Sequence, residues 1–204
     1  MIEFWTNPMS RGQIAHWMLE ELGQPYQTNW LDWGPAGNKS AQFLAVNPMG
    51  KVPTIRHDGK VVTEAAAICL YLADAFPQAG LKPSGAALAD YYRWTIFASG
   101  PIEQAVTAKA LGWQVPEGRD AMAGFGSFDA AVGALDRALS DRPFVCGDTF
   151  TAADVYVGST VDWGLMFGSI PTTPTFEAYA GRLRERKAYR HAKAINAAKM
   201  PAQS

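Results

Sequence analysis

Apolar and polar positions follow two different patterns along the chain, and the change falls near residue 78. In the first part, short runs of β-branched and aromatic residues indicate strands. Apolar residues at helical spacing over residues 11–22 predict a helix, and Thr63 is expected to cap a later helix that runs through Phe76. The predicted order is therefore β-α-β-α-β-β-α, with strands at residues 2–5, 26–31, 52–57 and 61–63 and a helical turn at residues 40–45.

The dipeptide Asp58-Gly59 separates the third and fourth predicted strands. Residues of these types form two-residue hairpin turns, because both central positions need a backbone with positive φ. Residues 61–63 are therefore expected to pair antiparallel with the strand at residues 52–57.

Helical periods dominate after residues 79–86, which have the composition of a linker. Residues 87 to about 111 are predicted to be helical with a bend at Gly100-Pro101, because proline interrupts the helical hydrogen-bond ladder. An amphipathic stripe predicts a second long helix, with its apolar face made of Met122, Phe125, Phe128, Val132, Leu135 and Leu139.

A later helix is predicted to begin at Thr151. Thr151 and Asp154 have the spacing of a capping box, and the flanking apolar pair Phe150 and Val155 has that of a hydrophobic staple. Pro171 and Pro174 are expected to end this helical segment. Two shorter helices should follow it.

The two patterns predict two domains. We expect an α/β domain over residues 1–78, a linker over residues 79–86 and an all-helical domain over residues 87–204. The length of 204 residues agrees with one to two domains at about 150 residues each.

Charge and cysteine content exclude some classes of function. The chain has 18 Lys and Arg against 19 Asp and Glu, so it lacks the basic excess that nucleic-acid binding needs. The apolar stretches are too short for a membrane span. Cys69 and Cys146 have no metal-ligand spacing, so no metal site is predicted. Unpaired cysteines and the lack of a signal-peptide pattern lead us to expect a cytoplasmic protein.

The turn between the first strand and the first helix, residues 6–11, is the first candidate site. The Ser10 hydroxyl can cap the helix by accepting hydrogen bonds from backbone N–H groups. Alternatively, the hydroxyl can donate to a bound thiolate and lower the pKa of that thiol, because a helix N-terminus favours negative charge. The same serine can serve both roles, so the sequence leaves both interpretations open.

The second candidate site is Val52-Pro53, at the edge of the third predicted strand. A trans bond here would be an ordinary strand start, and trans is by far the commoner isomer. A cis bond would instead turn the Val52 N–H and carbonyl outward, where they can pair with an extended peptide ligand.

Glu64, at the start of the helix that follows the hairpin, is the third candidate site. Backbone N–H groups at a helix start can hold a ligand carboxylate while Glu64 pairs with an ammonium group. Together they suit the head of an α-amino acid. Alternatively, Glu64 only complements the helix dipole.

These three places occur in order within one β-α-β-α-β-β-α unit that a helical part follows. The segments PMSRGQIAHWMLEELG, NPMGKVPTI, TEAAAICLYLAD and GDTFTAADV together resemble the cytosolic glutathione transferases over nearly the whole chain. The resemblance implies a thioredoxin-like N-terminal domain, a cis Pro53 and an all-helical C-terminal domain. It also implies glutathione as a co-substrate and no permanently bound cofactor.

The resemblance further implies how the thiol of glutathione is activated. The turn after the first strand holds neither Tyr nor Cys, so the chain resembles a serine-type bacterial member of the family. Ser10 is then the activating hydroxyl, and Thr6 and Asn7 are alternatives. Val52 resembles the residue whose backbone pairs with the cysteinyl part of glutathione, next to Pro53.

The remaining parts of glutathione are also assigned by resemblance. Glu64 resembles the acidic residue that holds the γ-glutamyl end. Ala65 stands where the family usually has Ser, so one hydrogen bond worth about 1 kcal/mol is absent. Lys51 and Lys39 are the candidates for binding the glycyl carboxylate.

The second substrate is expected to be an apolar electrophile. In this family the first helix of the helical domain lines its pocket, which lies between the domains. The residues that match this position or lie further along the chain are Tyr91, Tyr92, Phe97 and Trp113, followed by Trp163 and Phe167.

Three functions remain open at this point, and transfer of glutathione to electrophiles is the leading one. Glutathione-dependent peroxide reduction or isomerisation is the second, because the chemistry resides in glutathione and the acceptor pocket selects the reaction. A non-catalytic glutathione-binding or interaction protein is the third, which Ala65 and the placement of Ser10 keep open. The resemblance also implies a homodimer. The charge balance and the short apolar stretches lead us to expect that it binds neither nucleic acid nor membranes.

Overall fold

The computed structural model describes residues 1–200, apart from the side chain of Asp120. These residues form two compact units. One unit contains residues 1–81 together with the segment from Glu185 onward, and the other contains residues 82–184. The segment from Glu185 onward thus groups with the first unit, whereas the sequence pattern assigns it to the helical domain. The domain boundaries at residues 78 and 87 stay a prediction.

A four-stranded mixed sheet forms the centre of the first unit, with the strand order β2-β1-β3-β4. Strands β1 and β2 are parallel, whereas β3 is antiparallel to both β1 and β4. This is the thioredoxin-like arrangement that the resemblance implied. The elements are β1 (Ile2–Thr6), α1 (Gly12–Leu22), β2 (Tyr26–Trp30), α2 (Ala41–Leu44), β3 (Thr54–His57), β4 (Lys60–Thr63) and α3 (Ala65–Ala75).

Alternation along β1 explains how the sheet packs. Ile2, Phe4 and Thr6 are buried, whereas Glu3 and Trp5 are half-buried, as expected for a strand whose successive side chains point to opposite faces. Helices α1 and α3 contact each other and bury their apolar residues in the same unit. The predicted hairpin is confirmed, since Asp58 and Gly59 both have positive φ between β3 and β4.

Helix α9 (Lys187–Ala197) packs on α1 through polar as well as apolar contacts. Just before α9, Arg186 makes a two-pronged ion pair with Glu21 at 2.6 and 2.7 Å. The Asn196 amide nitrogen lies 3.1 Å from Nδ1 of the fully buried His16. Burial lowers the pKa of His16, so its imidazole is neutral and accepts from Asn196. These contacts account for the grouping of the C-terminal segment with the first unit.

The second unit contains α4 (Ala87–Phe97), α5 (Glu103–Leu111), α6 (Phe128–Leu139), α7 (Ala152–Met166) and α8 (Pro174–Arg184). At Gly100-Pro101, where the sequence predicts a bend, a π-helical segment, Ala98–Ile102, joins α4 to α5.

The amphipathic helix predicted from Met122 to Leu139 is shorter in the structure. Helix α6 begins at Phe128, because the Ser127 side chain caps it by accepting from the Ala130 N–H. Met122 is 77% exposed and, like Phe125, lies outside α6, so neither residue belongs to its buried face.

The N-terminus of α7 has the capping box that the sequence predicts. The carboxylate of Asp154 accepts hydrogen bonds from the backbone N–H groups of Thr151 and Val145, at 2.9 and 2.8 Å, and from the Tyr179 hydroxyl at 2.8 Å. Asp154 is completely buried, so this carboxylate ties α7 to the preceding loop and to α8.

Candidate functional site

The register of the sheet brings the three candidate sites together. Thr54, the first residue of β3, pairs with Trp5 on one side and with Thr63 on the other. The end of β1, the start of β3 and the end of β4 therefore lie side by side at one end of the sheet. The turn of residues 6–11 follows β1, Val52-Pro53 precedes β3, and Glu64 follows β4.

The Ser10 hydroxyl is engaged within the turn itself. It donates a hydrogen bond to the Asn7 carbonyl at 2.7 Å and accepts one from the N–H of Gly12, the first residue of α1, at 2.9 Å. The serine thus satisfies an N–H group at the helix start, which is the structural role that the sequence allowed. To donate to a thiolate, its proton has to turn away from the Asn7 carbonyl.

The two alternatives to Ser10 differ in how their side chains are bonded. The Asn7 amide donates to the Leu31 carbonyl at 2.8 Å and accepts from the Met9 N–H at 2.8 Å, so it holds the turn against β2. The Thr6 hydroxyl is fully buried and has no hydrogen-bond partner within residues 1–200.

The Val52–Pro53 bond is cis, as the resemblance implied. Within residues 1–200, the N–H and the carbonyl of Val52 make no backbone hydrogen bond. Val52 is half-buried and Pro53 is buried. The backbone of Val52 is therefore able to pair with an extended ligand.

Two buried asparagines hold the loop before β3, and no pattern in the sequence marked them as functional. The Asn47 amide donates to the Lys51 carbonyl at 2.9 Å and to the Thr54 hydroxyl at 3.1 Å. The Asn38 amide donates to the Gly50 carbonyl at 2.9 Å. Gly50 has a φ of 58°, and a Cβ there would lie 2.6 Å from the Asn38 carbonyl oxygen, so only glycine fits.

The two lysines proposed for the glycyl carboxylate are exposed and lie beside this loop. The Lys39 ammonium donates to the Met49 carbonyl at 3.0 Å. The Lys51 ammonium makes no hydrogen bond or ion pair within residues 1–200, so it is the freer of the two to meet an anion.

The start of α3 differs from the prediction that Thr63 caps it. Thr63 remains in β4, paired with Thr54, and Glu64 is the N-cap residue with a positive φ of 63°. The left-handed backbone of Glu64 turns the chain from strand to helix within one residue. Its carboxylate is exposed and has no partner within residues 1–200. Ala65, the first residue of α3, is buried.

The residues proposed for the electrophile pocket differ in exposure. Tyr91 is 1% exposed and belongs to the core of the second unit. Tyr92 and Trp113 are exposed, and Phe97 is half-buried with its ring 5.3 Å from that of Trp94. Further along the chain, Trp163 is half-buried and Phe167 is exposed. The role of these residues in a pocket stays a prediction.

Neither cysteine supplies a nucleophile of its own. Burial raises the pKa of the Cys69 thiol, which is completely buried, and raises the pKa of Cys146 to about 11. Both side chains are therefore protonated at neutral pH, when they are poor nucleophiles.

Residues 1–200 contain neither a metal-binding cluster nor a membrane-spanning helix. No group of three or more His, Cys, Asp and Glu side chains is arranged to hold a metal ion. No helix in this range combines the length and apolarity that a membrane crossing requires.

Comparison with known proteins agrees with this geometry. The family models for the N-terminal and C-terminal domains of glutathione S-transferase match residues 9–75 and 103–163. Glutathione S-transferase GstB of Escherichia coli (strain K12) is 31% identical over 201 residues, which cover 93% of this chain and 96% of GstB.

Solved structures give the same result. The crystal structure of a glutathione transferase from Methylococcus capsulatus matches with a TM-score of 0.79 and 26% identity, and covers 97% of this chain and 100% of that one. A sphingomonad glutathione S-transferase complexed with glutathione matches with a TM-score of 0.77 and 27% identity, and covers 96% of this chain and 98% of that one. The chain therefore belongs to the cytosolic glutathione transferase superfamily and is a glutathione transferase.

Proposed function

We propose that this transferase binds glutathione at the end of the sheet where β1, β3 and β4 meet, and adds the glutathione thiolate to apolar electrophiles. The observation that carries the proposal is the pairing of Thr54 with both Trp5 and Thr63, which aligns the three candidate sites. A tripeptide bound in an extended conformation can reach all three sites from this end of the sheet.

The thiol is activated at the start of α1. Ser10 turns its proton from the Asn7 carbonyl to the glutathione sulfur, and keeps the hydrogen bond that it accepts from Gly12. The N-terminus of α1 adds positive potential through its aligned peptide dipoles, and no acidic residue in its first turn neutralises that potential. Both effects stabilise the thiolate, which is the nucleophile.

The γ-glutamyl end is bound at the start of α3. The first N–H groups of a helix have no partner within the helix, so those of Ala65 and Ala66 can hold the α-carboxylate. The free carboxylate of Glu64 lies next to them and pairs with the α-ammonium group. The negative Glu64 carboxylate and the partly positive N–H groups of α3 lie side by side. Together they match the ammonium and carboxylate groups of an amino acid.

The middle and the glycyl end of glutathione bind along the loop before β3. The unpaired backbone of Val52 takes the cysteinyl part in the manner of an added strand. Lys51 directly precedes Val52, and its exposed ammonium is available for the glycyl carboxylate, with Lys39 as a second cation.

The proposal also covers the electrophilic acceptor, the oligomeric state and the cellular compartment. The acceptor is apolar and contacts aromatic residues of the second unit, for which Tyr92, Phe97 and Trp113 are exposed enough. The protein is a homodimer, and sedimentation at micromolar concentration should give about twice the chain mass of 22.1 kDa. The two free cysteines suit the reducing cytoplasm.

One preparation tests the reaction. Transfer to a chloronitrobenzene acceptor, reduction of cumene hydroperoxide and glutathione affinity are measured on the same sample. We expect measurable transfer together with glutathione binding. Peroxide reduction without transfer would assign the site to the alternative reaction, and binding with neither activity would contradict the proposed catalysis.

A further inference from the structure

The hydroxyl of Thr6 is an unexplained polar group at the start of α1. Thr6 is fully buried, and its Oγ1 has no hydrogen-bond partner within residues 1–200. A buried hydroxyl without a partner is costly, and most such groups in proteins are bonded. Because Thr6 has no accessible surface, it does not contact a bound ligand directly.

The geometry of Gly12 places this hydroxyl close to that of Ser10. A Cβ built on Gly12 would lie 1.9 Å from Thr6 Oγ1 and 2.9 Å from Ser10 Oγ, so the two oxygens are at most about 4.8 Å apart. Only glycine lets the end of β1 approach the first residue of α1 this closely. The Thr6 hydroxyl is therefore a donor close to Ser10 that has no acceptor within residues 1–200.

The bonding capacity of Ser10 leaves room for that donor. A serine hydroxyl has one proton and two acceptor sites. The proton goes to the Asn7 carbonyl, and one acceptor site takes the Gly12 N–H, so the second acceptor site is unused by any group within residues 1–200. When the proton turns toward a thiolate, charge moves onto the serine oxygen and strengthens every bond that this oxygen accepts.

We propose that Thr6 is a positioning residue for glutathione transfer, and that its hydroxyl donates to Ser10 Oγ when Ser10 donates to the glutathione sulfur. The chain of donors then runs from Thr6 to Ser10 to the thiolate, and no covalent bond changes. This inference rests on the proposed role of Ser10. It gives a partner to a buried hydroxyl that has none within residues 1–200.

Replacement of Thr6 by an isosteric residue tests the inference. Thr6→Val should raise the pKa of the bound thiol by about 0.5, roughly a threefold loss of thiolate at neutral pH. Its melting temperature should not fall, because the change removes an unpaired hydroxyl and leaves no partner unpaired. Thr6→Ser should restore the pKa, and Thr6→Ala offers a second variant without the hydroxyl.

A matched control separates this effect from a structural one. Thr95 is also fully buried, but its hydroxyl donates to the Tyr91 carbonyl at 2.7 Å in the other compact unit. Thr95→Val should lower the melting temperature and leave the pKa of the bound thiol unchanged. The readout is the absorbance of the glutathione thiolate against pH at saturating glutathione.

The double variant Ser10→Ala, Thr6→Val decides whether Thr6 acts through Ser10. We expect Thr6→Val to have no effect on the thiol pKa once Ser10 is replaced. An equal effect in both backgrounds, or no effect of Thr6→Val alone where Ser10→Ala does raise the pKa, would overturn the inference and leave the role of Ser10 intact. No effect of Ser10→Ala itself would overturn both.

Discussion

The helices of the two compact units differ at their N-terminal ends. Within the described residues of the first unit, α1, α2, α3 and α9 carry no acidic residue in the first turn. Every α-helix of the second unit carries one, namely Asp90 in α4, Glu103 in α5, Asp129 in α6, Asp154 in α7 and Glu177 in α8.

This difference shows two uses of the same electrostatic feature. The N-terminus of a helix carries a partial positive charge, which an acidic side chain of the chain itself stabilises. The second unit uses it for stability, most completely at Asp154. In the first unit, α1 and α3 start at the end of the sheet where the candidate sites meet, and their positive ends remain available to negative groups of a ligand.

The largest effect on stability is expected at the N-terminus of α7, where the Asp154 carboxylate is the anion. Asp154→Ala should lower the free energy of unfolding by on the order of 4 kcal/mol, because several buried donors lose their acceptor at once. These donors include the N–H groups of Val145 and Thr151 and the Tyr179 hydroxyl. Urea unfolding measures the loss. Asp129→Ala, at the exposed N-terminus of α6, is the matched control and should cost well under 1 kcal/mol.

At α1, the expected effect falls on chemistry. Ser10→Ala should raise the pKa of the thiol of bound glutathione by one to two. Transfer at neutral pH should then be roughly ten- to a hundredfold slower, since each pKa unit is about 1.4 kcal/mol of preference for the thiolate. Glutathione should still bind. The rate of transfer against pH gives the result, and an unchanged profile would assign the activation to Asn7 or to the helix alone.

At α3, the expected effect falls on binding. Glu64→Gln should weaken glutathione affinity roughly ten- to a hundredfold, because hydrogen bonds to charged groups are worth about 1.5–3 kcal/mol. The free energy of unfolding should not change, because the Glu64 carboxylate is exposed and has no partner within residues 1–200. Calorimetric titration with glutathione compares the two proteins, and equal dissociation constants would exclude Glu64 from the site.

Local signals in the sequence were sufficient for much of this fold. The Asp58-Gly59 turn, the break at Gly100-Pro101 and the Thr151–Asp154 box each depend on one or two residues with a strong conformational preference. The three candidate sites were also identified from sequence. The sequence pattern did not show that they meet at one end of the sheet, because strand register is set by long-range packing.

The details that sequence did not predict depend on close approaches in space. Thr63 has the residue type of a helix cap, but its pairing with Thr54 keeps it in the strand and moves the cap to Glu64. Asn47 supports the loop before β3 across seven residues, and no short motif marks that bond. Gly50 was an available signal, because glycine is favoured where a turn needs a positive φ, and the structure has that φ there.

The most direct test converts the N-terminus of α3 into one like those of the second unit. Ala67 is exposed in the first turn of α3, so Ala67→Glu adds a carboxylate there, and Ala67→Gln is its uncharged control. The free energy of unfolding should agree within about 0.5 kcal/mol, because the gain at the helix end offsets repulsion from Glu64. Calorimetric titration should show glutathione binding to Ala67→Glu roughly threefold more weakly than to Ala67→Gln, since the new carboxylate repels the γ-glutamyl carboxylate. Equal dissociation constants for the two variants would contradict the account.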